Sequence, residues 1–334
     1  MLFETVHLPS AYERSSSSST ADYALLIGIL REMSENCVVL IDDRRTISSA
    51  IKNAVKGWPD QYRQEASELL IQLHQLNRLV KQPGVPEPHN TCGKSTCALC
   101  CYFATRGADM YLSCSDCSSC STWVTGKVTL ARNYCLHAFS QRRKDAKEYV
   151  VPSKMWTKEE FAMRVWRPIF RHANYVHIID RYVGRSAQQR GGRPKPSYVQ
   201  TIEWMLEEAL KVSTSGIDHV TLFGGCETNS RFCQETSNNW KQEAERIKSA
   251  LDLPFQFSIE IVEERQDAEM PHNRYIFTDQ IGISIDRGLD LLITDDEGKW
   301  IRDCHLKLIE RPRIVEGEKL SEIDLLPCIV PTVT

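Results

Sequence analysis

The sequence predicts an α/β protein whose sheet has helices packed on its faces, preceded by a helical region with a cysteine-rich insertion. Three observations predict it. The second half alternates apolar, β-branched runs with stretches of helical periodicity. The first half carries leucines at helical spacing between residues 60 and 81. Between them, residues 92–120 crowd together cysteines in a polar setting.

Size and composition bound the reading. The chain has 334 residues, 42% of them apolar and 25% charged, enough for two domains of ordinary globular character. Net charge is −3, so no global field draws the chain to nucleic acid or membrane, and any basic surface is local. The apolar run from Tyr23 to Leu30 is far shorter than the roughly 20 residues of a membrane span. It follows Glu4 and a serine run, not the basic start of a secretory signal. A soluble, cytosolic protein is expected, with its thirteen cysteines as thiols or metal ligands.

The elements follow in order. Residues 15–20 are a polar hinge that caps a helix over 21–34. Cys37 to Ile41 reads as a buried strand ending in Asp42-Asp43. Two helices come next, the second over 60–81, and prolines between 83 and 88 break the pattern. Residues 127–136 read as a strand. A domain boundary is placed in the basic, polar stretch 141–147, giving regions 1–147 and 148–334.

In the second region, helices are expected over 159–172, 198–212 and 236–251. Strands are expected over 175–179, 219–223, 255–262, 275–278, 281–285 and 301–309. The basic loop 190–196 is expected past the carboxyl end of a strand, where ligand loops sit.

The most informative stretch runs from His272 to Asp290. His272, Arg274 and Asp279 stand at H-x-R-x4-D spacing in a predicted strand, where alternate side chains share a face. An imidazole beside a guanidinium suits a phosphate: arginine binds the oxygens, and histidine can attack or shuttle a proton. A second segment, Val176 to Arg185, is an apolar strand ending in Asp180, Arg181, Tyr182 and Arg185.

At Ile178–Tyr182, His272-Asn-Arg274 and Arg287-Gly-Leu-Asp290 the chain resembles the phospholipase D-like superfamily. Within it, the chain is most similar to the phospholipase D-like domain at the C-terminus of MIT-domain proteins. The resemblance covers roughly residues 155–310. It implies a mixed sheet flanked by helices. It also implies His272 as nucleophile, Arg274 as phosphate clamp and Asp279 as the outer acid. Asp180, Arg181, Tyr182, Arg185, Ser284, Arg287 and Asp290 would complete a phosphate site. Arg274 stands where catalytic relatives carry lysine, and the two are not equivalent. With one copy of the motif, catalysis would need a homodimer. The MIT-type relatives are understood as binding modules, which implies the alternative of a non-catalytic site.

Cys97-x2-Cys100 and Cys114-x2-Cys117, thirteen residues apart, have the spacing of a zinc ribbon. Each knuckle brings two thiolates to one ion, and a structural zinc would fold a loop too polar to fold alone. Cys92, Cys101, Cys120 and His89 are further candidate ligands, and a second zinc is an open alternative. The Cys114–Cys120 run also has an iron–sulfur spacing, without its usual proline.

Two weaker signals remain. Asp42-Asp43 could hold a metal ion for a nuclease, or cap the following helix. Gly224-Gly225 could approach a phosphate, or form a tight turn. Together these readings lead to a phosphodiester-acting protein, with a homodimeric nuclease effector in prokaryotic antiviral defence as the foremost expectation. The alternatives are an inactive module that binds nucleic acid, phospholipid or a partner protein within a larger complex, and a metal-dependent nuclease centred on the N-terminal aspartates.

Overall fold

The computed structural model describes residues 2–13, 18–82, 108–113, 127–152, 154–214, 216–227, 232–264, 270, 272–289 and 303–309. Contacts divide the chain into two compact units, Leu2–Ala146 and Lys147–Thr334.

The N-terminal unit is built on a parallel sheet, not on helices alone. Strands β1 (Phe3–His7), β2 (Cys37–Asp42), β3 (Leu79–Gln82), β4 (Met110–Ser113) and β5 (Val128–Leu130) lie in the order β3-β2-β1-β4-β5. Every pairing is parallel. This corrects the helical reading of the first 147 residues. Apart from β2, these strands have three to five residues each, too few to show a period in the sequence. The expected helix over 60–81 stops at Gln75, because Asn77 turns left-handed at φ 50° and the chain re-enters the sheet as β3. The expected strand over 127–136 is β5 followed by a 3-10 turn, Ala131–Leu136.

Helices α1 (Thr20–Asn36), α2 (Thr46–Lys56), α3 (Asp60–Gln75) and α4 (Ala138–Asp145) complete this unit. Ser19 and Asp22 form a capping box that starts α1, and Leu26, Leu30 and Met33 bury one stripe of it. Ile47, Ile51 and Val55 do the same for α2. Arg143 on α4 is buried, and its guanidinium meets Glu32, Glu35 and Asn36 of α1. A buried guanidinium needs such partners, since an unpaired charge there costs several kcal/mol, roughly.

The C-terminal unit contains a mixed sheet of seven strands. These are β6 (Glu148–Val151), β7 (Tyr175–Ile179), β8 (His219–Glu227), β9 (Gln256–Glu264), β10 (Arg274–Thr278), β11 (Gly282–Ile285) and β12 (Cys304–Ile309). They lie in the order β6-β12-β11-β10-β7-β8-β9. β7, β8 and β9 run parallel, and the remaining pairs are antiparallel.

Among the described residues, four helices pack on this sheet. α5 starts as Lys158–Phe161, widens to a π-helical turn at Ala162–Trp166 and closes as Arg167–Phe170. α6 (Arg181–Gln188), α7 (Pro196–Val212) and α8 (Cys233–Leu251) follow. Val176 and Ile178, Val220 and Leu222, Ile276, and Ile283 and Ile285 alternate inward along their strands. They meet Trp166, Ile202, Met205 and Trp240 from the helices in one core. Burying each large side chain contributes about 1.5–3 kcal/mol. Among the described residues, no helix is long and apolar enough to cross a membrane.

Candidate phosphate site

The expected strand end at Asp180–Arg185 is a helix start. Asp180 follows β7 and accepts a hydrogen bond from the Tyr182 amide at 3.0 Å, the N-cap contact that begins α6. Tyr182 and Arg185 therefore lie on the first turns of a helix. The loop 190–196 comes after α6, not directly after β7.

Two glycines let this helix sit down. A Cβ on Gly184 would lie 2.3 Å from the Gly225 carbonyl oxygen, and one on Gly225 would lie 2.7 Å from Glu264 Oε1. Gly224-Gly225 is thus neither a tight turn nor the end of its strand. It is the part of β8 over which α6 passes, and β8 continues to Glu227.

β9 brings the residue that the sequence reading missed. Glu264 is buried, and its Oε1 stands 2.7 Å from Arg181 Nε. Arg185 Nε donates to Glu264 Oε2 at 2.7 Å, and its Nη1 lies 3.3 Å from Glu227 Oε1. The Met270 amide also donates to Glu264 Oε1, at 3.1 Å. One buried carboxylate thus holds two guanidiniums in place. No motif spacing links it to them, and nothing in the sequence sets it apart from Glu260 and Glu263 of the same strand.

His272 precedes β10 and does not belong to it, so strand alternation does not place it beside Arg274. Tyr182 brings the two together instead. The Tyr182 hydroxyl lies 3.2 Å from His272 Nδ1, and the Arg274 guanidinium stacks 4.5 Å from the Tyr182 ring centre. Arg181 Nη1 lies 3.2 Å from His272 Nε2. A guanidinium only donates, so Nε2 is the acceptor in this contact and Nδ1 carries hydrogen toward the Tyr182 oxygen. Both ring nitrogens are engaged, while the ring itself is exposed.

Arg274 is held as well. Its Nη1 donates to the Asp286 carbonyl at 3.1 Å, and its Nε lies 3.6 Å from Asp180 Oδ1. Asp180 Oδ2 accepts the Leu289 amide at 3.0 Å, which ties the Arg287–Leu289 segment to the start of α6. Three guanidiniums, a phenol and an imidazole thereby converge at one corner, over a base of buried carboxylates. Such a corner gathers donors of the kind that bind phosphate oxygens, each of them engaged by a protein partner here.

Other expected members make different contacts. Asp279 is at the far end of β10, about 17 Å along an extended strand from Arg274. Its carboxylate accepts the Asn174 amide at 3.0 Å and Asn174 Nδ2 at 2.6 Å. It is a structural clamp there, not an acid beside His272. Ser284 Oγ donates to the Lys307 carbonyl at 3.4 Å, and Arg287 Nε to the Asp303 carbonyl at 3.1 Å. Asp290 lies outside the described residues, as do Cys92, Cys97, Cys100, Cys101, Cys114, Cys117, Cys120 and His89. Among the described residues, no group of three or more His, Cys, Asp or Glu could hold a metal ion. Asp42 accepts the Thr46 amide at 2.7 Å and the Ile47 amide at 2.8 Å, so its carboxylate serves the first amides of α2 from three residues before the N-cap, Arg45.

No protein-family model matches the chain, and no curated protein matches it.

Proposed function

We propose that the Lys147–Thr334 unit is a phospholipase D-like module that binds a phosphate group of a nucleic acid at the His272–Arg181–Tyr182–Arg274 corner. The observation that carries this reading is the engagement of His272. Its Nε2 lone pair faces Arg181, so the imidazole is held as one wall of an anion site and not presented as a free nucleophile. An incoming phosphate would draw the guanidiniums to its own oxygens.

The test is binding of labelled single-stranded DNA and RNA to the full chain in chelator, followed by anisotropy. Arg274→Ala removes a charge-assisted contact of about 1.5–3 kcal/mol, so affinity should fall roughly tenfold or more. Binding should weaken with salt, as phosphate contacts do. Unchanged affinity in both Arg274→Ala and His272→Ala would overturn the reading.

A second reading, the homodimeric nuclease, is favoured by the exposure of the His272 ring, which leaves it open to a second copy of the chain. It requires strand cleavage in chelator, lost in His272→Ala, because a phosphohistidine route needs no metal. The cysteine knuckles are proposed to hold structural zinc on their spacing alone. Metal analysis of the purified chain checks this, and a chain without zinc overturns it.

A further inference from the structure

The N-terminal unit contains a cavity of about 630 Å³ between α2, α3 and the sheet. That is the size of a small-molecule site, for which roughly 300–1,000 Å³ is usual. Its floor is Val39, Ile41 and Leu79 of the parallel strands, and its walls include Ile51 and Val55 of α2 and Leu70 of α3. At the lip, Ile71 is 55% exposed, an apolar side chain facing water beside the cavity mouth.

The rim has one sign of charge. Arg45, Lys52 and Lys56 come from α2 and its N-cap, and Arg63 comes from α3. Among the described residues, no aspartate or glutamate lines the cavity. Arg63 already pairs with Asp60 at the surface, while Arg45 is held at the rim in the left-handed conformation, φ 59°. Such a conformation is uncommon for a residue with a side chain and costs about 1 kcal/mol. In the floor, His7 is buried against the Tyr12 hydroxyl, and burial lowers its pKa to about 4, so it adds no charge near neutrality.

We propose that this cavity binds an amphipathic anion: an aliphatic body in the cavity and one carboxylate or phosphate head at the Lys52–Lys56 rim. Val39, Ile41 and Leu79 give the floor no hydrogen-bonding side chain to read a nucleobase edge, and the polar lining residues Ser48, Ser49, Gln64, Ser67 and His74 come from the two helices. The cationic rim disfavours a neutral ligand only in part, but it adds a specific contact for an anionic head. A medium-chain acyl or alkyl anion satisfies both surfaces, whereas a nucleobase would have to lie against the apolar floor.

Octyl phosphate is a suitable probe, used as a monomer with the full chain carrying Arg274→Ala, which weakens the C-terminal site. Calorimetry should show saturable binding of one octyl phosphate per chain. Inorganic phosphate and 1-octanol should each bind at least about tenfold more weakly. Lys52→Ala with Lys56→Ala should weaken octyl phosphate about tenfold or more, since both side chains are exposed and their loss leaves the fold intact. Leu70→Trp, which narrows the cavity from its α3 wall, should weaken binding as well. No saturable binding overturns the proposal. So does affinity that neither variant changes, or tighter binding of adenosine monophosphate than of octyl phosphate.

Discussion

Each unit ends a buried strand in an aspartate that caps the next helix, yet the two aspartates do different things. Asp42, at the end of β2, accepts the Thr46 and Ile47 amides, all within five residues. Asp180, after β7, accepts the Tyr182 amide and also the Leu289 amide, 109 residues away, and stands near Arg274. The first carboxylate starts a helix. The second also joins distant segments of chain at a charged corner. Asp180 is itself the N-cap of α6, whereas Asp42 reaches α2 from three residues before its N-cap, Arg45, and the neighbouring strands deliver different partners. β9, β10 and the residue just before β10 bring Glu264, Arg274 and His272 to the start of α6, whereas Val39 and Ile41 of β2 pack against Leu70, Leu73 and Leu79.

The comparison breaks most visibly at Glu264. It is the buried partner of Arg181, with both side chains 2% exposed, and it also holds Arg185. Removing one member of a buried ion pair leaves a charge uncompensated and costs about 3–5 kcal/mol. Glu264→Ala should lower stability by that amount in urea unfolding and weaken phosphate binding in whatever folded protein remains. A loss below about 1 kcal/mol would mean that Arg181 and Arg185 do not depend on this carboxylate.

The N-terminal unit should respond to acid through His7. Burial lowers its pKa from 6.5 to about 4. Above pH 6.5 the imidazole is neutral in both folded and unfolded chains, and its stability contribution is fully present. As pH falls from 6.5 through 4, the unfolded chain takes up a proton that the folded one refuses. Stability is lost across that window, on the order of 3 kcal/mol. His7→Gln should flatten the pH dependence of the N-terminal unfolding transition between 6.5 and 4. An unchanged slope would assign the acid sensitivity to other groups.

How much of this could be read from the sequence follows the same division. The core strands 175–179 and 219–223 are legible because they are apolar, β-branched and flanked by helical periodicity. Asp180–Arg185 and His272–Arg274 stand out because ionisable groups cluster there, and the fold brings them together. α6 was hidden: it is short, contains Gly184 and Val183, and its start depends on a cap that only geometry reveals. Glu264 was hidden because its arginine partners are 79 or more residues away in the chain. Asp279 misled for the opposite reason. It is close to His272 in sequence, but an extended strand carries it to the other end of the sheet. The short strands of the N-terminal sheet left no period to read, and Asn77 interrupts what looks like one long helix.

The smallest effect sharpens the comparison most. Asp42→Ala removes a helix cap, for which about 0.5–2 kcal/mol is usual. Phosphate binding should stay unchanged, because Asp42 contacts only the start of α2. Asp180→Ala removes a cap too, but it also frees the Leu289 amide and takes away the carboxylate nearest Arg274. Its stability cost should therefore exceed that of Asp42→Ala, and phosphate affinity should change with it. Asn at each position retains one capping oxygen without the charge, and so separates the two roles. If Asp180→Asn restores stability but not affinity, the charge beside Arg274 positions the guanidinium. If it restores both, Asp180 is only a cap like Asp42, and the corner owes its order to Glu264 alone.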